Sequence, residues 1–291
     1  MTDAVTRRAA AVGLLLSGLG APSARASAAP RRVVSIGSCL DVVLMEVADR
    51  GQIAALSHYS RDPESSTVAE RARPYPFTHE SAEEVVALEP DLVLASKRSG
   101  MQTRAALKRH GLRVEEFDVP DHVAASLEQV RRIADLVGAP ARGEAVVRRI
   151  DAALAAAAPR PGQPRPKALI YQANGFAAGS KTLVGEMMER CGFENVASRY
   201  GLKKWGNIPL ERVLADPPQV LLAGERAPGA PNWAERIISH PALESLEPTT
   251  YRAAFNQRLL YCGGPVLIET AAVLRRAREE ALVWSARRRS V

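Results

Sequence analysis

The sequence predicts an α/β protein: two α/β lobes with mostly parallel sheets, joined by a single long rigid helix, with a ligand cleft between the lobes. Three observations carry this. Short apolar runs alternate with segments of helical spacing over residues 32–117 and again over 167–282, which is the pattern of right-handed βαβ units. Between them, residues 123–159 hold helical periodicity and no strand. Two distant segments also read almost alike: 81–95, with Glu83, Pro90 and a Leu92-Val93-Leu94-Ala95 run, and 209–223, with Glu211, Pro217 and a Val220-Leu221-Leu222-Ala223 run. Each is a short acidic helix, a proline stop and a buried strand, so each places a glutamate on a surface helix at an equivalent point of its lobe.

In the first lobe, residues 32–36 are a β-branched strand ending at Gly37-Ser38, and 40–47 are spaced for a helix. Residues 53–56 form a second strand that leads into the polar loop His58-Tyr59-Ser60-Arg61-Asp62-Pro63. After the Glu83 helix, 91–96 are apolar on both faces, as in a parallel sheet covered on both sides. A helix over 103–109 stops at Gly111, and 114–117 make the next strand. The 123–159 stretch is interrupted at Gly138-Ala139-Pro140. Residues 141–158 then form an alanine-rich helix about 27 Å long, suited to a strut between lobes. Residues 159–166, with four prolines, read as an exposed connector. In the second lobe we expect strands at 167–171, 219–223 and 258–261, a helix at 182–191, and a Gly-containing loop at 172–180. Cys262-Gly263-Gly264-Pro265 turns into a final helix over 266–282, with a frayed tail at Arg287-Arg288-Arg289. The predicted boundaries are a leader at 1–28, a first lobe at 29–122, a helical connector at 123–160 and a second lobe at 161–291.

A formal charge of +7 on 291 residues is modest, and its basic residues are scattered among acids on helices such as 142–151. That pattern is a solvated face, and we expect no nucleic-acid partner. The N-terminus has the parts of a secretory signal: Arg7-Arg8, an apolar run over 9–19, and Ala-x-Ala sites at 24–28. The run is too short to span a bilayer, and the paired arginines leave the Sec and Tat routes both open. The mature protein is therefore expected to be soluble outside the cytoplasm. Of three cysteines, Cys191 ends a helix and reads as a packed residue, while Cys39 and Cys262 follow strands, one in each lobe. If those two met, a bond would lock the lobes; alternatively either thiol serves a secreted enzyme. No Cys-x-x-Cys or His-x-x-x-His spacing supports a structural zinc.

Taken in order, several of these pieces resemble the periplasmic substrate-binding proteins of ABC importers for cobalamin and ferric siderophores, over about residues 31–284. The pieces are Arg32-Val33-Val34-Ser35, the Tyr59-Ser60-x-x-Pro63 loop, Glu83 through Leu94 and the all-helical connector. Gly179-Ser180-Lys181, Cys191-Gly192-x-Glu194-Asn195, Glu211 through Ala215 and Gly264-Pro265 complete the set. The resemblance implies a monomeric binding protein without catalysis or resident cofactor. It would hold a ferric siderophore or a cobalamin between rigid lobes, and dock on a permease dimer in the inner membrane through Glu83 and Glu211, with Glu84 as the alternative to Glu83. It also implies aromatic pocket residues at Tyr59 and Trp205. The chain departs from the cobalamin-binding pattern where Ser96-Lys97 replace a tryptophan, and where the last helix lacks a cysteine to pair with Cys191.

Open α/β sheets bind ligands at loops beyond their strand ends. The candidates there are Ser38, Tyr59, Phe77, Lys97 and Arg98 in the first lobe, and Asn174, Trp205, Arg226 and Gly263 in the second. Tyr59 and Trp205 offer flat apolar faces; Lys97, Arg98 and Arg226 offer pairing to an anionic chelate. Two other ligands stay open on the same fold: haem, with Tyr59 or His58 as axial ligand, and a bare metal ion, which needs several histidines and carboxylates converging in the cleft.

Overall fold

The computed structural model describes residues 29–98, 100–224 and 240–290. The expected leader at 1–28 and the candidate Arg226 lie outside the described residues.

The first lobe is one parallel sheet. Its strands are β1 (Val33–Ile36), β2 (Ile53–Ser57), β3 (Phe77–Thr78), β4 (Leu92–Ser96) and β5 (Val114–Phe117). Their spatial order is β3-β2-β1-β4-β5. The helices are α1 (Ser38–Val47), the single turn α2 (Ala69–Ala72), α3 (Ala82–Ala87) and α4 (Met101–Arg109). Alternation along the strands feeds two cores. Val33, Leu92 and Leu94 face α1 and the inner core, while Val34, Val93 and Ala95 face an outer core with Val85 and Leu107. That is why these strands read as continuously apolar.

Two helices follow, α5 (Val123–Leu136) and α6 (Pro140–Ala157), turned on Gly138 at φ +76°. Its left-handed backbone suits glycine best.

The second sheet has β6 (Lys167–Tyr171), β7 (Phe176–Ala178), β8 (Glu194–Asn195), β9 (Trp205–Asn207), β10 (Val220–Ala223) and β11 (Tyr251–Ala254). Its path is β11-β10-β6-β7-β9, with β8 on the early end of β6. β10 and β11 run parallel to β6, and β7 and β9 pair antiparallel. The helices here are α7 (Leu183–Arg190), α8 (Leu210–Ala215), α9 (Pro241–Glu244) and α10 (Val266–Arg289).

The strut is built as its apolar spacing demands. α6 packs against α1 of the first lobe and α10 of the second. One buried core runs from Val33 and Leu94 through Val146, Ile150 and Leu154 to Ile170, Leu222 and Leu274. The lobes therefore share an interior and do not merely touch. Arg278 of α10 closes the far end. Its buried guanidinium donates to the carbonyls of Ala157 at 2.8 Å and Cys191 at 2.5 Å, the C-termini of α6 and α7. Burial lowers its pKa.

Two sequence expectations are corrected here. The last strand is β11 at Tyr251–Ala254, and 257–259 form a 3₁₀ turn capped by Asn256, with Leu259 and Leu260 turned into the core. The tail at 287–289 is helical: Arg288 lies 4.7 Å over the Trp284 ring and donates to the Pro248 carbonyl.

Candidate ligand cleft

In the order β3-β2-β1-β4-β5, connections leave β1 and β4 towards opposite sides, which opens a crevice beyond their carboxyl ends. A cavity of about 230 Å³ occupies that place. Gly37, Ser38, Cys39 and Leu40 supply its floor after β1, Ser96 the end of β4, and 117–120 the end of β5. Tyr59, Glu80 and Gln129 form its sides, and Tyr261 reaches in from the second lobe. Among the described residues, the lining carries two carboxylates, Glu80 and Asp118, and no lysine or arginine.

Aromatic rings stand on both sides. On the first lobe Tyr59 is 50% exposed although it packs against His58, so its ring faces the opening. On the second, Phe176 and Trp205 stack with centroids 5.3 Å apart and planes 7° apart. Antiparallel pairing of β7 with β9 produces that stack. Tyr261, 41% exposed, lies 5.5 Å from Trp205 and carries the patch to the cavity. Exposed aromatic clusters of this kind offer stacking surface, worth about 0.5–1.5 kcal/mol per ring pair beyond area burial.

Cys39, in the first turn of α1, is bonded to Cys262, just before α10 (Cα–Cα 5.0 Å). The bond joins the lobes at the cavity floor. Next to it, a Cβ on Gly263 would lie 2.4 Å from the Ser126 hydroxyl oxygen, so only glycine lets the α10 turn sit this close to α5. Ser126 receives the Gly264 N–H at 2.6 Å. Cys191 is the free thiol; burial pushes its pKa up to about 12, which leaves it inert.

A polar layer backs the first-lobe wall. Asp41 is fully buried; its Oδ2 accepts from the Ser57 N–H at 2.9 Å and from the Ser60 hydroxyl, while Oδ1 has no partner of hydrogen-bonding geometry. Burial, only partly offset by Ser35, Ser60 and Ser57, raises its pKa to about 7. The Ser57 hydroxyl donates to Glu80 Oε1 at 2.5 Å. Glu80 sits at φ +66°, a left-handed conformation rare for this residue type, with its N–H on the Thr78 hydroxyl at 3.3 Å.

Of the sequence candidates, Ser38 and Tyr59 line the cavity, and Trp205 reaches it through Tyr261. Phe77 lies off the cavity, under the Arg61 guanidinium at 4.1 Å and edge-on to His79. Lys97 is held by Asp118 at 2.6 Å, while Arg98 is exposed. Asn174 is exposed at φ +56°, its carbonyl taken by the Asn207 amide. Gly263 is buried against Ser126 and Pro120. Glu83 and Glu211 are both exposed in the first turns of α3 and α8. Glu84 is committed instead to a capping box, accepting from the backbone of His79 and Ser81.

Sequence reasoning missed Tyr261, Glu80, Asp118 and Asp41. Tyr261 was hidden by the mistaken strand, and Asp118 could have been found by extending the strand-end rule past β5. Among the described residues, no three His, Cys, Asp or Glu converge to hold a metal ion. No helix among them is long and apolar enough to cross a membrane.

A family model described as periplasmic binding protein matches residues 33–252. Two curated proteins of Halobacterium salinarum strains, each named cobalamin-binding protein, are 26% identical over 217 residues, covering 72% of this chain. The chain spans 58% of the length of these relatives. Among solved structures, the apo periplasmic heme-binding protein RhuT from Roseiflexus sp. RS-1 superposes with a TM-score of 0.69 at 22% identity, covering 86% of this chain and 98% of that one. The periplasmic vitamin B12 binding protein BtuF of Vibrio cholerae gives 0.64 at 14% identity, covering 87% and 98%.

Proposed function

The chain belongs to the periplasmic binding protein family, and from that premise we propose that it captures a bulky metal chelate between its lobes outside the cytoplasm and delivers it to an ABC importer, binding its cargo without transforming it. One observation carries this reading: Tyr59 and the Phe176–Trp205–Tyr261 patch flank a single cavity from opposite lobes. A flat, rigid ligand suits that arrangement, because two fixed aromatic faces hold it with little loss of side-chain entropy. At about 230 Å³ the cavity is smaller than the ~300–1,000 Å³ usual for small-molecule sites. A macrocycle would insert one edge and lay its faces along the rings outside. Cobalamin is the leading cargo, in keeping with the relatives' name. A ferric siderophore finds less support, since Lys97 is engaged by Asp118 and the described residues of the lining include no cation.

Haem is the second reading. The exposed Tyr59 phenol at the wall and the buried, unpartnered Nδ1 of His58 beside it are the groups that favour it.

Calorimetric titration of the mature protein with cyanocobalamin, hemin and a ferric siderophore separates these readings. Saturable cyanocobalamin binding, weakened at least tenfold by Trp205→Ala, is the expected result. Hemin binding with a Tyr59-dependent Soret shift would transfer the assignment to haem, and binding of none of the three would remove it.

A further inference from the structure

We infer that Glu80 is the residue by which the cleft chooses among macrocycles: it accepts hydrogen bonds from amide or ammonium groups on the ligand rim and turns away rims that carry carboxylates. The inference rests on the ligand class proposed above and goes beyond it to what selects within that class.

Glu80 is placed as a recognition group would be. It lines the cavity beside Tyr59. Its left-handed backbone is a strained choice for glutamate, and such strain gathers where geometry is functionally fixed. The carboxylate is anchored on one side alone. Oε1 takes the Ser57 hydroxyl, whereas Oε2 has neither a hydrogen-bond donor nor a cation among the described residues. The Ser57 anchor is fixed in turn, since its backbone N–H is held by Asp41.

The surrounding charges decide the sign. Asp118 is matched by Lys97, so its charge is largely spent. Arg61, the nearest arginine in sequence to the Tyr59 wall, directs its guanidinium to the carbonyls of Arg73 and Tyr75 and over the Phe77 ring, away from the cavity lining. Among the described residues of the lining, Glu80 is therefore the carboxylate that no cation matches. A carboxylate brought against it meets like-charge repulsion in a partly desolvated site, and an N–H donor gains a charge-assisted bond. Cobalamin is rimmed by carboxamides and haem by two propionates, so one residue can discriminate between them by chemistry and not by size.

The test compares ligands that share a macrocycle and differ in the rim. Affinities of wild type, Glu80→Gln and Glu64→Gln, a change at an exposed glutamate outside the lining, are measured by calorimetry for cyanocobalamin, for its monocarboxylic acid made by hydrolysing one peripheral amide, and for hemin. We expect wild type to favour the amide-rimmed corrinoid over its acid by at least tenfold. Glu80→Gln should narrow that ratio at least fivefold and tighten hemin, with an unchanged melting temperature. Glu64→Gln should move the ratio less than twofold. An equal ratio in wild type and Glu80→Gln, or a larger effect from Glu64→Gln, overturns the assignment of Glu80 while leaving the ligand class intact. Failure of wild type to bind any of the three removes the macrocycles from the ligand class, and this inference with it.

Discussion

Asp41 keeps a proton that its unfolded chain would release. Its pKa rises from 3.8 to about 7 because burial removes the water that would solvate the anion. Between those values the folded chain binds one proton more than the unfolded chain, so stability falls as pH rises through the window. The full shift corresponds to up to about 4 kcal/mol. Asp41→Asn imitates the protonated form, with one oxygen to accept from Ser57 and Ser60 and an amide beside Ser35. Urea unfolding at pH 5 and pH 8 should show wild type losing stability relative to Asp41→Asn, whereas parallel behaviour would mean Asp41 is already ionised at pH 5. None of this was legible in the sequence, where Asp41 is simply an acid on a helical face. Its meaning comes from Ser57 and Ser60, which reach it only after β2 has paired with β1. Tyr59 and Trp205 came from the family resemblance; the structure sets Tyr59 in the cavity lining and Trp205, in β9, against Tyr261, which lines it too.

Elements were easiest to read where one physical pattern spanned their length. β4 and β10, covered on both faces, had to be continuously apolar, and α3 and α8 repeated around their prolines. β7, β8 and β9 escaped because two- and three-residue strands in Gly-containing loops carry no period. Their loss concealed how Phe176 comes to stack on Trp205. The sequence could report only that Cys191 has no cysteine partner in α10; the structure has Arg278 there instead, holding the ends of α6 and α7. Arg278→Met would orphan two buried carbonyls, at about 1–3 kcal/mol each. We expect a loss of roughly 3 kcal/mol in urea unfolding, with Arg278→Lys recovering part of it. A neutral Arg278→Met would show that water replaces the guanidinium.

At the scale of the whole molecule, Glu83 and Glu211 repeat one placement on two lobes that share an interior, so any partner reading both meets them at a fixed spacing. The Glu83→Ala/Glu211→Ala double variant should leave ligand affinity within twofold of wild type. It should also reduce ligand-stimulated ATP hydrolysis by the reconstituted permease at least tenfold, through lost orientation and steering. Unchanged stimulation would place docking elsewhere. The Cys39–Cys262 bond has a topological consequence of its own. With a sequence separation of 223, it closes residues 39–262, most of both lobes, into a ring. In the chain-entropy treatment, closing so large a ring restricts the denatured ensemble by about 5 kcal/mol. A ring also survives being opened once. A protease site engineered between Gly162 and Gln163, in the exposed turn before β6, should yield a cleaved protein that runs as one species without reductant and as two with it. The cleaved form should still melt as one unit until the disulfide is reduced. A backbone cut would then part the two halves only where the compartment is reducing.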